Sequence, residues 1–235
     1  MSGPCDHEDV PTPVPTPVPV QWRDAGVALP APAAAGWGSG SPTGICRLVA
    51  DSEDVRVIGI QGQQEREAAR RAIRAAIVAE LALLSSLPRQ RIALHTPEGQ
   101  VPYALLDTPD GQRRVHLAIS HDGALSLAAL SRRGPVGIDV TLVMDIPDWE
   151  AVARDYLGPA QTAALAALPA AARADAFARA WSEREARLKY FGRELVEWSE
   201  DGDRPLAACR CLPLALPEGY AGVLALPPDP DSMRS

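Results

Sequence analysis

The sequence lacks a basic surplus and contains a single lysine, Lys189. Its 235 residues carry 30 acidic and 23 basic side chains, giving a formal net charge of -7. The acidic excess lies near the two ends, while residues 45–193 are balanced. Because binding to a phosphate backbone requires a basic surplus on at least one face, we expect no nucleic-acid partner.

Cysteines are few and long hydrophobic runs are missing. Cys209 and Cys211 have no second Cys or His pair beside them, so we interpret them as two thiols on one face of a strand rather than as zinc ligands. The most apolar helical stretch, residues 73–84, is too short to span a bilayer. The first ten residues lack the apolar core of a secretory signal. We therefore expect a cytoplasmic protein with no membrane association, and we separately expect a monomer.

The overall composition predicts a folded chain, and the Pro- and Ala-rich N-terminal segment predicts an irregular end. Hydrophobic residues make up 46% and charged residues 23%, as in globular domains. Residues 1–44 are rich in Pro and Ala, and their closely spaced prolines exclude a helix or a central strand. We interpret them as a mobile or surface-wrapping leader, followed by an N-terminal lobe at 45–133, a C-terminal lobe at 134–228 and a tail at 229–235.

Hydrophobic periodicity predicts a helix and short strands in each lobe. A helix at about 63–86 has Ile73, Ile77 and Leu81 on one face, and a second long helix is predicted at 171–191. Predicted strands cover 45–50, 55–60, 91–95, 115–120, 124–130, 136–141, 209–214 and 219–226. The repeated pattern predicts an α+β fold of two related lobes.

Asp139 lies inside an otherwise apolar predicted strand, Gly137-Ile138-Asp139-Val140-Thr141. A buried carboxylate without partners costs several kcal/mol, so Asp139 should meet a cation, a metal or hydrogen-bond donors. An Asp that merely accepts backbone amides at the end of a strand would explain the pattern equally well.

Trp181, Glu185 and Lys189 are spaced i, i+4 and i+8, which places them along one stripe of the second long helix. The alternative is an exposed Glu–Lys pair beside a buried Trp. Against it, the other bases of this helix are all Arg, and an ordinary surface pair would tolerate Arg at position 189 as well.

Ser120 and His121 end a predicted strand just before Gly123. A hydroxyl, an imidazole and free amides at such a turn can hold an anion. A turn without function is the more common interpretation of Ser-His-Asp-Gly.

In this order and spacing, the three motifs resemble the Sfp-type 4'-phosphopantetheinyl transferases. That family shows Ser-His at a strand end, a Gly-hydrophobic-Asp strand and a helical Trp-x-x-Lys-Glu-Ala-x-x-Lys. Here these elements are Ser120-His121, Gly137-Ile138-Asp139 and Trp181-x-x-Arg184-Glu185-Ala186-x-x-Lys189. The resemblance implies two pseudo-duplicated α/β lobes with the active site in the cleft between them.

The resemblance also implies a reaction and roles for named residues. The phosphopantetheine arm of coenzyme A would pass to a serine of an acyl or peptidyl carrier protein in fatty acid, polyketide or nonribosomal peptide biosynthesis, with release of 3',5'-ADP. Asp139 and Glu185 would hold Mg²⁺, Lys189 would stabilise the phosphoryl oxygens, and Glu185 would take the serine proton. The residues implied to contact coenzyme A are Ser120, His121, Arg71 and Arg184.

Two departures from the family pattern leave an alternative open. Thr141 stands where many members have a second acid, and Gln100 stands where they have a cation that Arg113 or Arg114 could replace. A degenerate relative that binds coenzyme A or a carrier protein without transfer would tolerate both changes. An interaction module built around the Pro-rich leader is a third interpretation.

Overall fold

The computed structural model describes residues 17–23, 55–62 and 65–228. The described strands and helices are, in chain order, β1 (Val18–Pro19), β2 (Gln21–Arg23), β3 (Val55–Gln61), α1 (Arg66–Ser85), β4 (Ile92–His95), β5 (Tyr103–Thr108), β6 (Gly111–Asp122), β7 (Leu125–Ser131), β8 (Gly137–Leu142), α2 (Trp149–Tyr156), α3 (Pro159–Ala166), α4 (Ala170–Tyr190), α5 (Glu200–Asp203), β9 (Arg210–Ala215) and β10 (Tyr220–Leu226). Short 3-10 helices lie at Arg89–Arg91 and Arg204–Ala208.

A six-stranded sheet in the order β2-β3-β7-β6-β5-β4 forms the first half of the fold. The first turn of α1 is capped by Glu65, whose carboxylate accepts hydrogen bonds from the amides of Glu67 and Ala68. The helix ends at Ser85, and Ser86 adopts a left-handed conformation with φ 56°. The apolar face of α1 packs against one face of the sheet, so this side of the first half is a closed core.

A four-stranded sheet in the order β1-β9-β10-β8 forms the second half, with α4 packed across β8 and β10. In each half, the strand that precedes the long helix pairs antiparallel with the last strand of that half: β3 with β7, and β8 with β10. The last strand then pairs with the one before it. The expected α+β fold is confirmed, and its two halves share this order of connection.

The second apolar core lies between the two sheets. Ala118, Leu127 and Ala129 contribute from the first sheet, and Ile138 and Val140 contribute from β8. Because side chains alternate along a strand, Gly137 and Asp139 then face the opposite side of β8, towards α4. The register of β8 therefore turns the one acid of this strand away from the apolar core.

Part of the Pro-rich leader belongs to the described residues. Val18–Pro19 pairs with β9 and Gln21–Arg23 pairs with β3, and both segments are edge strands. Edge positions tolerate proline, because its missing amide is not required by a second neighbouring strand. The strand predicted at 45–50 and the tail at 229–235 lie outside the described residues. No helix of the described part is long and apolar enough to cross a membrane.

Candidate active site

Asp139 is buried and accepts hydrogen bonds at both carboxylate oxygens. Its Oδ1 accepts from Ser120 Oγ at 2.7 Å and from Lys189 Nζ at 2.7 Å. Its Oδ2 accepts from Thr141 Oγ1 at 3.2 Å. The partners that the sequence required for this acid are therefore two hydroxyls and an ammonium, rather than the backbone amides of the alternative interpretation.

Lys189 joins the two halves of the fold. Its ammonium donates to Asp139 on β8 and to Ser120 on β6 at 3.1 Å, and lies 3.5 Å from Glu185 Oε2 on its own helix. Lys189 Nζ lies 2.7 Å from Asp139 Oδ1 and 3.5 Å from Glu185 Oε2, so these two oxygens are at most 6.2 Å apart, the sum of the two distances. The Lys189 side chain is only 29% exposed, so this is not an ordinary solvated surface pair.

Glu185 occupies the open side of this cluster, with 24% of its side chain exposed. Burial raises its pKa above the ordinary value, the Asp139 charge acts in the same direction, and the Lys189 ammonium partly opposes both. A carboxylate in this setting binds a proton more readily than a solvated one does.

Ser120 and His121 are adjacent in sequence but face opposite sides of β6. Ser120 points to the Asp139 cluster and also accepts a hydrogen bond from the amide of Val140 at 3.3 Å. His121 Nδ1 lies 2.9 Å from Ser126 Oγ on β7, on the face that α1 covers. Only the serine of the predicted pair therefore enters the cluster.

The turn after β6 is fixed to the second half of the fold. Asp122 Oδ2 accepts a hydrogen bond from the amide of Leu142 at 2.7 Å, and the amide of Ala124 donates to the hydroxyl of Tyr220 at 3.0 Å. The first bond links the ends of β6 and β8, and the second links the turn to β10, so together they hold the end of β6 that carries Ser120 beside β8.

Two predicted coenzyme A ligands lie apart from the cluster. Arg71 is exposed on α1, on the same face of the first sheet as His121. Arg184 is 6% exposed, and its guanidinium is committed to Asp203 on α5 and to the carbonyl oxygen of Val196 at 3.0 Å. The structure thus gives Arg184 a buried ion pair away from Glu185 and Lys189.

The other sequence candidates also have identified surroundings. Trp181 packs against Tyr156 and Phe177, which places it in the apolar contact between α4 and the two short helices. Arg114 lies over the ring of Tyr103 at 4.0 Å, and Arg113 pairs with Asp110. Within the described part of the chain, neither arginine forms a hydrogen bond or an ion pair with the Asp139 cluster.

Two residues of the cluster carried no clear signal in the sequence. Ser182 is completely buried on α4, and its Oγ donates to Thr141 Oγ1 at 2.7 Å. The sequence identified Thr141 only as a departure from a family pattern. Spacing along the chain could not identify this pair, since the residues are 41 positions apart and meet only because α4 lies over β8.

Asp139 and Glu185 supply hard carboxylate oxygens, which are the donors that a divalent cation such as Mg²⁺ prefers. Within the described ranges, no three His, Cys, Asp or Glu side chains gather as a metal site. Two carboxylates supplemented by substrate phosphate oxygens and water are nevertheless a usual environment for Mg²⁺, which seldom requires a cage made of protein alone. Asp139 and Glu185, both within reach of one ammonium, fit this requirement.

Cys209 and Cys211 are both free thiols and lie on the other side of α4. Arg187 donates to the carbonyl oxygen of Cys209 at 3.0 Å and lies 3.8 Å from its Sγ. A hydrogen bond from Cys211, assisted by the Arg187 charge, lowers the pKa of Cys209 to about 7. The corresponding interaction and burial raise the pKa of Cys211.

The fold and this site define an α+β protein in which the two acids and the ammonium of the second half meet Ser120 of the first half. Residues 135–215, which include Asp139, Glu185 and Lys189, match the model of the 4'-phosphopantetheinyl transferase superfamily. The resemblance drawn from the motifs is thereby confirmed.

A relative supports the same family. A protein of Synechocystis sp. (strain ATCC 27184 / PCC 6803 / Kazusa), provisionally named 4'-phosphopantetheinyl transferase slr0495, is 27% identical to this chain over 111 residues. The matched part is 47% of this chain and 43% of that protein. The chain thus matches less than half the length of this curated relative.

Proposed function

We propose that this protein transfers the 4'-phosphopantetheine arm of coenzyme A to a serine hydroxyl of an acyl or peptidyl carrier protein and releases 3',5'-ADP. The observation that carries the proposal is the Lys189 ammonium, which lies between the carboxylates of Asp139 and Glu185 and bonds to Ser120. A dianionic pyrophosphate needs such a combination of a positioned cation and hard oxygen ligands.

Asp139 and Glu185 are the residues that would hold Mg²⁺ in this protein. The ion, when bound, neutralises negative charge on the pyrophosphate of coenzyme A. The hydrogen bonds to Asp139 fix the direction of its carboxylate before substrate arrives, so that little reorganisation is required on binding.

Lys189 would stabilise the charge that develops on the phosphoryl oxygens. Asp139 and Ser120 hold its ammonium from two sides, and this restricts an otherwise flexible side chain to one position. A compact ammonium can share its three protons between protein and phosphate oxygens, which the planar guanidinium of Arg does less readily.

Glu185 would accept the proton of the attacking serine at its carboxylate. In the reaction, a bond forms between the serine oxygen and the β-phosphorus of coenzyme A, and the bond from that phosphorus to the oxygen leaving with 3',5'-ADP breaks. Burial raises the pKa of Glu185, which makes it a stronger base than a solvated glutamate. Its partial exposure leaves it accessible to an incoming carrier protein.

Ser120, His121 and Arg71 remain the proposed contacts for coenzyme A. Ser120 and His121 lie on opposite faces of β6, and Arg71 is exposed on α1, which covers the His121 face. Arg184 would act indirectly, because its ion pair with Asp203 holds the segment after α4.

A second candidate is a relative that binds coenzyme A or a carrier protein without transferring the arm. The observation that favours it is Thr141, a neutral hydroxyl that donates to Asp139 at the position of a second acid. The intact set of Asp139, Glu185 and Lys189 favours the enzyme.

Intact-protein mass spectrometry of an apo carrier protein separates the two candidates. The transferase adds one phosphopantetheine group to the carrier in the presence of coenzyme A and Mg²⁺, and adds none to a carrier whose acceptor serine is replaced by alanine. Binding of coenzyme A without any change in carrier mass would instead establish the non-catalytic relative.

A further inference from the structure

Two buried hydroxyls connect α4 to the Asp139 carboxylate. Ser182 is 0% exposed and lies one residue after the Trp181 that anchors the helix. Its Oγ is 2.7 Å from Thr141 Oγ1, and Thr141 Oγ1 is 3.2 Å from Asp139 Oδ2. The three side chains form one continuous hydrogen-bonded path from α4 to the Asp139 carboxylate on β8.

The protons of this path have a single consistent order. An ionised carboxylate only accepts hydrogen bonds, so the one hydroxyl proton of Thr141 must point to Asp139. The Thr141 hydroxyl oxygen can then only accept a hydrogen bond from Ser182, so the hydroxyl of Ser182 is the donor. The other acceptor for Ser182, the carbonyl oxygen of Ala221, is farther away at 3.4 Å.

The path determines which lone pairs of Asp139 remain available. Ser120 and Lys189 both donate to Oδ1 and use its two lone pairs, while Thr141 uses one lone pair of Oδ2. The remaining lone pair belongs to Oδ2, beside the Thr141 hydroxyl. Among the residues that the structure describes, Thr141 is the one donor to Oδ2, so its loss would leave the carboxylate held at Oδ1 alone.

We propose that Thr141 and Ser182 are positioning residues: Ser182 fixes the Thr141 hydroxyl, and that hydroxyl fixes Asp139 for binding a divalent cation. This inference rests on the proposed function, because it assigns Asp139 to a cation. On this proposal, Thr141 is not a weakened metal ligand. At the position where the family pattern has a second carboxylate, the hydroxyls of Thr141 and Ser182 instead orient the Asp139 carboxylate. Ser182 is included because it acts through Thr141 and touches no reacting group.

The test measures binding of Mn²⁺ alone to the full-length protein by isothermal titration calorimetry. Groups that orient a metal ligand typically contribute 10-fold to 100-fold in affinity. We therefore expect Thr141→Val to weaken Mn²⁺ binding by about 10-fold to 100-fold and Ser182→Ala to weaken it by up to about 10-fold. Thr141→Ser, which keeps the hydroxyl, should restore most of the affinity.

Matched controls remove similar hydroxyls at a distance from the site. Thr162→Val removes a half-buried hydroxyl that donates to the carbonyl oxygen of Gly158, and Ser85→Ala removes one that donates to Leu81. Both control variants should bind Mn²⁺ as the parent does. If Thr141→Val fails to fold, Thr141→Ala provides the same comparison without the added methyl group.

The double variant tests whether Ser182 acts through Thr141. Because the path is serial, adding Ser182→Ala to Thr141→Val should cause no further loss of affinity, whereas independent effects would multiply. Multiplying effects, or single variants that bind Mn²⁺ as tightly as the two controls, would overturn the proposal. A parent protein that binds no Mn²⁺ would also overturn it.

The transfer assay, run on the same proteins, separates this inference from the proposed function. A parent that transfers the arm, together with variants that match the controls in Mn²⁺ affinity, refutes the positioning role and leaves the function intact. A parent that shows the expected pattern of Mn²⁺ affinities without any transfer refutes the function and leaves the positioning of Asp139 supported.

Discussion

Replacing Gly137 with alanine should force β8 and α4 apart. A Cβ atom at this position would lie 1.9 Å from the carbonyl oxygen of Ala186 and 2.8 Å from the amide nitrogen of Tyr190. Contacts of real Cβ atoms essentially never fall below 3.0 Å, so the first contact must lengthen by at least 1.1 Å, the difference between the two distances. Both obstacles are backbone atoms of a helix, which cannot rotate away as a flexible side chain would.

The same displacement affects stability and the site. Overpacking of this kind costs about 1–3 kcal/mol. Since each kcal/mol lowers Tm by about 2–4 °C in a chain of this size, we expect Tm to fall by about 2–12 °C. If the full displacement reached the cluster, the 2.7 Å bond from Lys189 to Asp139 would lengthen to about 3.8 Å, beyond hydrogen-bond distance. A misplacement of this size can lower the transfer rate by about 100-fold.

Gly134 provides the matched control for this prediction. A Cβ there meets nothing within 4 Å, so Gly134→Ala should change stability by less than about 0.5 kcal/mol. Thermal unfolding followed by circular dichroism, and transfer rates for both variants, give the comparison. A Gly137→Ala protein with the Tm and transfer rate of Gly134→Ala would refute the close contact between β8 and α4.

Three further perturbations test the charged groups. In steady-state kinetics, Lys189→Ala should lower turnover by about 10²- to 10³-fold, with a smaller effect on coenzyme A binding. The turnover of Lys189→Arg should lie between that of Lys189→Ala and that of the parent. A Lys189→Arg protein as active as the parent would contradict the need for an ammonium. Burial raises the pKa of Glu185 in the folded protein, so the protonated side chain stabilises the fold in acid, and this contribution is lost as pH rises through that pKa. Glu185→Gln, which cannot ionise, should therefore have a higher Tm than the parent at pH 7 and an equal Tm in acid. A lower Tm at pH 7 would show that the Lys189 pair outweighs burial. Asp203→Asn should destabilise the protein by about 3–5 kcal/mol in urea unfolding, since it leaves the buried Arg184 charge uncompensated; a loss below about 1 kcal/mol would indicate that water replaces the pair.

Asp139, Glu185 and Lys189 could be predicted to share a site because each has its own signal in the sequence. One is an acid inside an apolar strand, and the other two are helically spaced and include the only lysine. In the structure, the Lys189 ammonium contacts the carboxylates of both Asp139 and Glu185. Ser182 had no such signal, because its role depends on a contact between α4 and β8 that spacing along the chain does not reveal.

Burial and distant partners explain the remaining differences. β5, the segment Tyr103–Thr108, was not predicted, because its pattern lacks regular alternation and it becomes a strand by pairing with β4 and β6. Arg184 was assigned to coenzyme A from its position in a motif, but α5, which the sequence did not predict, supplies Asp203 as its partner. The helices α1 and α4 were predicted within a few residues of their bounds, since caps and an apolar face are local features.

The central claim is that one cluster, assembled from both halves of the chain, transfers phosphopantetheine to a carrier serine. The most direct measurement follows 3',5'-ADP by chromatography and the carrier by intact-protein mass spectrometry in the same reaction with coenzyme A and Mg²⁺. The parent should form the two products in equal amounts, and Asp139→Ala should form neither while keeping the parent's circular dichroism spectrum. A parent that forms neither product, or an Asp139→Ala protein that forms both at the parent's rate, would contradict the claim.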